Sequence, residues 1–192
     1  MHMLIGILTY SKSKEEAIEQ ARRVLDDSLC GDDKPFDYYA LFTPDENSSL
    51  SGANRWGKKE SAMRVDSGEG KKFTEKLLEY TRQELFENIE KIKNGLSRLN
   101  ADDLWHNEDK RVPSTEGEKV EPLEYGSAMF RYLMHKAGEY EGPSIFLYDH
   151  DGEGIRDIKH YQSVLSKWDS IYPVDNPYRD KDIWVVPADI HY

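Results

Sequence analysis

Residues 3–10, MLIGILTY, set the strongest limit on what this chain can fold into. The run is almost continuously apolar and lacks the period-2 alternation of a strand with one wet face. Both of its faces must be covered, which predicts a strand at the centre of a layered sheet. Ser13 and Glu16 follow at the S-x-x-E spacing of a capping box. Ala17, Ile18, Ala21, Val24, Leu25 and Leu29 then form one stripe of an amphipathic helix that Gly31 stops. Residues 36–42, FDYYALF, predict a second strand with Tyr38, Ala40 and Phe42 on one face.

A hydrophobic fraction of 38% against 33% charged residues is lean, yet 12 Tyr, 6 Phe and 4 Trp suffice for a core and argue against wholesale disorder. The length of 192 residues suits a single domain. The formal net charge of -11 opposes a phosphate backbone, so a nucleic-acid partner is disfavoured. Cys30 is the sole cysteine, which excludes an intramolecular disulfide and the usual Cys-based zinc sites. No apolar run approaches the roughly 18 residues of a membrane span, and the early apolar run is too short, and lacks the basic lead-in, for a signal peptide. These features lead us to expect a cytoplasmic protein.

Residues 43–70 are rich in Gly, Ser, Asn and Pro and read as a long loop. That loop holds Arg55, Trp56, Lys58, Lys59 and Arg64, a basic and aromatic group suited either to an anionic ligand or to a solvated loop with one aromatic on the core. Residues 71–99 carry the longest helical pattern, with Leu78, Leu85, Ile92 and Leu99 repeating every seven, a seam that packs on another helix of this chain or of a partner. Residues 101–106 predict a short helix, 107–122 a loop, and 123–140 a further helix antiparallel to the long one.

Residues 143–155, PSIFLYDHDGEGI, hold the most suggestive chemistry. The apolar stretch 145–148 is a strand, and it runs straight into Asp149, His150, Asp151, Gly152, Glu153 and Gly154. A helix follows over 156–168. Residues 171–182 form a Pro- and Asp-rich loop, and 183–186 the last strand, with Pro187 at its end or edge. The order is two βαβ halves, 1–43 and 143–192, around a loop and helical insertion at 44–142. The halves read alike, LIGILTYSKSKEEA against SIFLYDHDGEGIRD. This order resembles the ferredoxin-like split βαβ fold, an α+β class, with the insertion in place of the central hairpin. A small doubly wound α/β sheet is the alternative. The split arrangement sets the first and third strands side by side and parallel, and so brings Tyr10, Ser11 and Lys12 beside Asp149, Asp151 and Glu153.

Asp149, Asp151 and Glu153 sit at i, i+2 and i+4, a spacing that lets carboxylates converge on Mg²⁺ or Ca²⁺. With Gly154 at position six and Asp157 at nine, the run resembles the front half of an EF-hand calcium loop, departing at position twelve, where His160 stands in place of Glu. A strand followed by D-x-D-G also resembles the haloacid-dehalogenase-like phosphatases. That resemblance implies Asp149 as nucleophile, Asp151 as general acid and a bound magnesium; Glu153 departs from the family's Thr or Val. The same residues also suit a turn without a ligand: Asp149 in an Asx turn, Gly152 and Gly154 at positive φ, and Glu153 and Asp157 at the start of the next helix.

Two functions follow. One is a binding or regulatory module that self-associates, as a homodimer, through the insertion or a sheet edge. The other is a divalent-metal-dependent enzyme acting on a phosphorylated substrate, its acids on the metal and Tyr10, Lys12, Arg55, Trp56 and Lys58 around the anion.

Overall fold

The computed structural model describes residues 2–46, 51–97, 110–111, 123–125, 143–170 and 180–191. The helix expected at 101–106, the loop at 107–122 apart from 110–111, the helix at 123–140 beyond its first three residues, and the loop at 171–182 before residue 180 lie outside these residues. Two compact units divide the chain, one of residues 1–82 with 144–192 and one of residues 83–143.

The first unit is an α+β structure around a mixed five-stranded sheet. Strand β1 (His2–Ser11) is buried along nearly its whole length, as its unbroken apolar run requires. It pairs in parallel with the short β6 (Leu147–Tyr148), Gly6 opposite Leu147. On its other side it pairs antiparallel with β7 (Asp182–His191) over ten residues. β7 in turn carries β2 (Tyr38–Leu41) and β3 (Met63–Arg64) on its outer edge. The trio β7-β1-β6 has the pairing of a split βαβ sheet. The second strand departs from it, because β2 lies outside β7 instead of beside β6. The antiparallel β7 at the centre also separates this sheet from a parallel, doubly wound one.

Helices cover both faces. Ser13 caps α1 (Lys14–Val24), its Oγ accepting from the Glu16 amide at 3.2 Å. Glu16 Oε2 accepts from the Lys12 amide at 2.8 Å, one residue earlier than a capping box demands. The helix continues into a π-helical turn (Leu25–Leu29). Alternation along β1 sends Met3, Ile5 and Ile7 against Ala17, Ala21 and Val24 of α1. Leu8 faces the other side, with Leu77 and Leu78 of α3 (Gly68–Ser97). Val164 of α4 (Ile158–Ser170) completes that layer. Gly6 permits the close approach: a Cβ there would come within 2.6 Å of Leu77 Cδ1.

Three elements differ from the sequence expectation. The segment read as a loop over 43–70 contains a four-residue helix, α2 (Ala53–Trp56), then β3, and it ends in the first turn of α3. Ser67 caps that turn, its Oγ accepting from the Gly70 amide at 3.0 Å. Residues Leu123–Tyr125, expected as helix, form β5, paired antiparallel with β4 (Lys110–Arg111) in the second unit. β7 is ten residues long and central, with Pro187 inside it. The reason is geometric. The Gly6 amide donates to Phe146 O of the β6 side at 2.9 Å, so its partner Pro187 turns its own N and O away from β1. On that outer edge β2 covers residues 188–191 and β3 covers 184–185. Pro187 falls in the gap, where a missing N–H removes no ladder bond.

Candidate functional site

The parallel pair β1 and β6 ends at one edge, and the chain gathers its polar groups there. In open parallel sheets the crevice beyond the C-terminal ends of the strands is the usual place for a ligand, and the β1–β6 pair offers one such end. The loop after β6 is built by Asp149. Its Oδ1 accepts from the amides of Asp151 at 3.0 Å and Glu153 at 2.9 Å. Its carbonyl accepts from Gly152 N at 3.1 Å, and its own amide donates to Glu153 O at 2.9 Å. Gly152 supplies a φ of 85°, and a Cβ there would lie 2.8 Å from Ser28 Cβ, so the loop rests on the π-helical end of α1. Ile155 N returns to Leu147 O at 2.8 Å and closes the turn.

The Asx turn expected from the sequence is therefore present, and it aims three side chains to one place. Asp149, His150 and Asp151 each offer a ligand atom, all within 4.8 Å of one another. His150, not Glu153, is the third member of the group. Its Nε2 lies 3.3 Å from Asp151 Oδ2, and its ring meets Tyr10 edge-on with centroids 5.3 Å apart. Glu153 is exposed and is not part of this group. Asp157 caps α4: Oδ1 accepts from His160 N at 2.8 Å. That bond holds the Asp157 carboxyl below its ordinary range. Neither residue is left to complete an EF-hand set.

An open cleft of about 390 Å³ adjoins the loop, lined by Gln20, Arg23, Asp27, His150, Asp151 and Lys181. Lys181 arrives because Ser11 registers with Asp182; its Nζ is 3.7 Å from Glu16 Oε1. Gln20 Oε1 accepts from Tyr10 N at 3.2 Å. Thr9 Oγ1 and Ser11 Oγ, at the end of β1, are wholly buried and have no hydrogen-bond partner among the described residues.

The residues expected around an anion divide. Tyr10 lies at this edge, buried, and Lys12 is nearby but exposed. Arg55, Trp56 and Lys58 belong to the segment leading to β3, which pairs with β7, and none of them lines the cleft; Glu60 of the same segment meets Lys14 Nζ at 2.7 Å. There Lys59 donates to Trp56 O at 2.9 Å, and burial, then Lys76, lowers its pKa. The sequence reading missed Gln20, Arg23 and Lys181. A run of alternating Asp and Lys gives no sign of which strand end it will reach.

A family model described as "Domain of unknown function (DUF7995)" matches residues 1–192. The chain belongs to this family. No curated protein and no solved structure matches it. No described helix is long and apolar enough to cross a membrane.

Proposed function

We propose that this chain is a ligand-binding module whose site is the cleft where β1 and β6 end. A divalent cation sits on Asp149, His150 and Asp151, and the anionic group of a small ligand reaches across to Arg23 and Lys181. The observation that carries this reading is the convergence of one imidazole and two carboxylates within 4.8 Å on the rim of a cleft that also holds two cations. The imidazole shifts the expected metal. A nitrogen donor beside carboxylates suits Mn²⁺ or Zn²⁺ better than the Mg²⁺ or Ca²⁺ implied by carboxylates alone. The cation replaces the His150–Asp151 contact and relieves the repulsion between the two acids. Arg55 and Lys58 are not among the residues that line this cleft, which favours this reading over a phosphate-processing enzyme that uses them with the acids.

The test is thermal unfolding with EDTA, Mg²⁺, Ca²⁺, Mn²⁺ and Zn²⁺. An ion at a hundred times its Kd stabilises by about 2.7 kcal/mol, several degrees in Tm for a domain of this size. The shift with Mn²⁺ is expected in the wild type and in Glu153→Gln, and is absent in Asp149→Asn/Asp151→Asn. A Mn²⁺ shift that survives the double substitution, or no shift with any ion, removes the proposal.

A further inference from the structure

At the opposite end of β1 two histidines meet. His2 opens β1, His191 closes β7, and the register sets them directly across the ladder from each other. Their ring centroids are 5.0 Å apart at an interplanar angle of 68°. Each ring is held through the same nitrogen by a carboxylate. His2 Nδ1 lies 3.0 Å from Asp189 Oδ1, and His191 Nδ1 lies 3.0 Å from Asp37 Oδ2. Asp189 is 1% exposed, and its Oδ2 accepts from the Gly52 amide at 2.8 Å. An ionised carboxylate only accepts, so Nδ1 is the donor in each ring, and in the neutral imidazole the lone pair then lies on Nε2. Tyr38, opposite His191 on β2, stacks on it with centroids 4.7 Å apart and meets His2 edge-on at 6.1 Å.

We infer that this pair is a metal site: His2 and His191 bind a borderline divalent cation, Zn²⁺, Ni²⁺ or Cu²⁺, through Nε2. Asp189 and Asp37 are its positioning residues. The spacing supports this. A cation about 2.0–2.1 Å from each nitrogen, with tetrahedral angles, sets the two ring centroids roughly 5 Å apart. The hydrogen bonding supports it independently. A carboxylate on the far nitrogen is the arrangement that fixes the tautomer of a metal-binding histidine and raises its basicity. The burial of Asp189 adds a third argument. Removing a carboxylate from water is costly, and here both oxygens are satisfied, Oδ2 by the Gly52 amide and Oδ1 by His2, so the imidazole is oriented by a side chain that is itself fixed. Two imidazoles select against Mg²⁺ and Ca²⁺ and leave the other coordination positions to water or to a donor from a bound molecule.

This site shares no residue with the acidic loop, so the two are separable. The experiment is calorimetric titration of untagged protein carrying Asp149→Asn/Asp151→Asn with Zn²⁺, Ni²⁺ and Cu²⁺. One ion per chain is expected to bind. Binding is lost in His191→Ala and weakened 10- to 100-fold by Asp37→Asn, the range that such supporting carboxylates command. Unfolding curves in EDTA establish that each variant is folded. A spectroscopic measurement that needs no substitution at the site guards against a variant that does not fold: electron paramagnetic resonance of one equivalent of Cu²⁺ in the same background should show coupling to imidazole nitrogen. Absence of binding, binding unchanged in His191→Ala, or a copper signal without nitrogen coupling overturns the inference.

Discussion

At the scale of single residues, two glycines show how space and conformation oppose each other. Gly70 lies in the first turn of α3, where alanine has the better intrinsic propensity by about 1 kcal/mol. A Cβ at Gly70 would, however, fall 2.0 Å from the Arg64 carbonyl oxygen and 3.1 Å from Ser67 Oγ, which caps the same turn. A backbone atom cannot swing aside as a side-chain tip does. The clash outweighs the propensity, and Gly70→Ala is expected to destabilise by about 1–3 kcal/mol, the usual cost of overpacking. Urea unfolding measures it, and a stabilised variant contradicts the argument. Gly6 is the milder case, because its nearest neighbours, Leu77 Cδ1 at 2.6 Å and Val185 Cγ2 at 2.9 Å, are side-chain ends.

At the scale of elements, β7 shows what a central strand tolerates. Pro187 occupies the one stretch of its outer edge between the registers of β2 and β3. Pro187→Ala therefore adds a donor with no registered partner, and we expect its Tm to stay within a few degrees of the wild type. Ala188 alternates with it and directs its backbone toward Ile5 of β1. Ala188→Pro removes a bond between the two longest strands and is expected to lower Tm steeply or prevent folding. Equal effects of the two substitutions, read by circular dichroism melts, would refute the placement of Pro187. Along α3, the apolar pattern also divides: Leu77 and Leu78 are core, whereas Phe86 is 56% exposed and Ile89 42%.

At the scale of the whole molecule, the buried titratable groups set the response to alkali. Burial, with Asp26 second, pushes the Cys30 thiol from its ordinary 9.0 up to about 12. Burial pushes the Tyr161 phenol from 10.0 up to about 12, and raises Tyr39 and Tyr148 in the same direction. These groups are neutral when protonated, and the folded state keeps the proton that the unfolded chain loses. The unfolded state binds fewer protons between about pH 9 and pH 12, so stability falls as pH rises through that window and is undiminished below it. Urea midpoints at pH 7, 9 and 10.5 should decline only after pH 9, with Cys30→Ala removing the earliest part of the decline. A midpoint constant to pH 11 would contradict the burial of these groups.

Much of the local structure was legible because side-chain periodicity records how many faces of an element are covered. The unbroken apolar run at 3–10 became a strand buried on both faces, and the stripe from Ala17 to Leu29 became the face of α1 and its π-helical turn. The turn chemistry at 149–157 was legible in part, since Asp149, Gly152 and Asp157 act on backbone groups within a few residues, whereas Gly154, expected at positive φ, does not adopt it. Strand order was not legible. Nothing in FDYYALF distinguishes the outer edge of β7 from the outer side of β6, because partners are chosen by backbone bonds between residues far apart. For the same reason two residues at 63–64 became a strand only because β7 offered them an edge. Local residue chemistry built the acidic loop; the ladder between β1 and β7 chose its neighbours. That one register carries Lys181 to the cleft at one end and sets His191 against His2 at the other, across 189 positions of chain. Residue spacing could not announce either meeting.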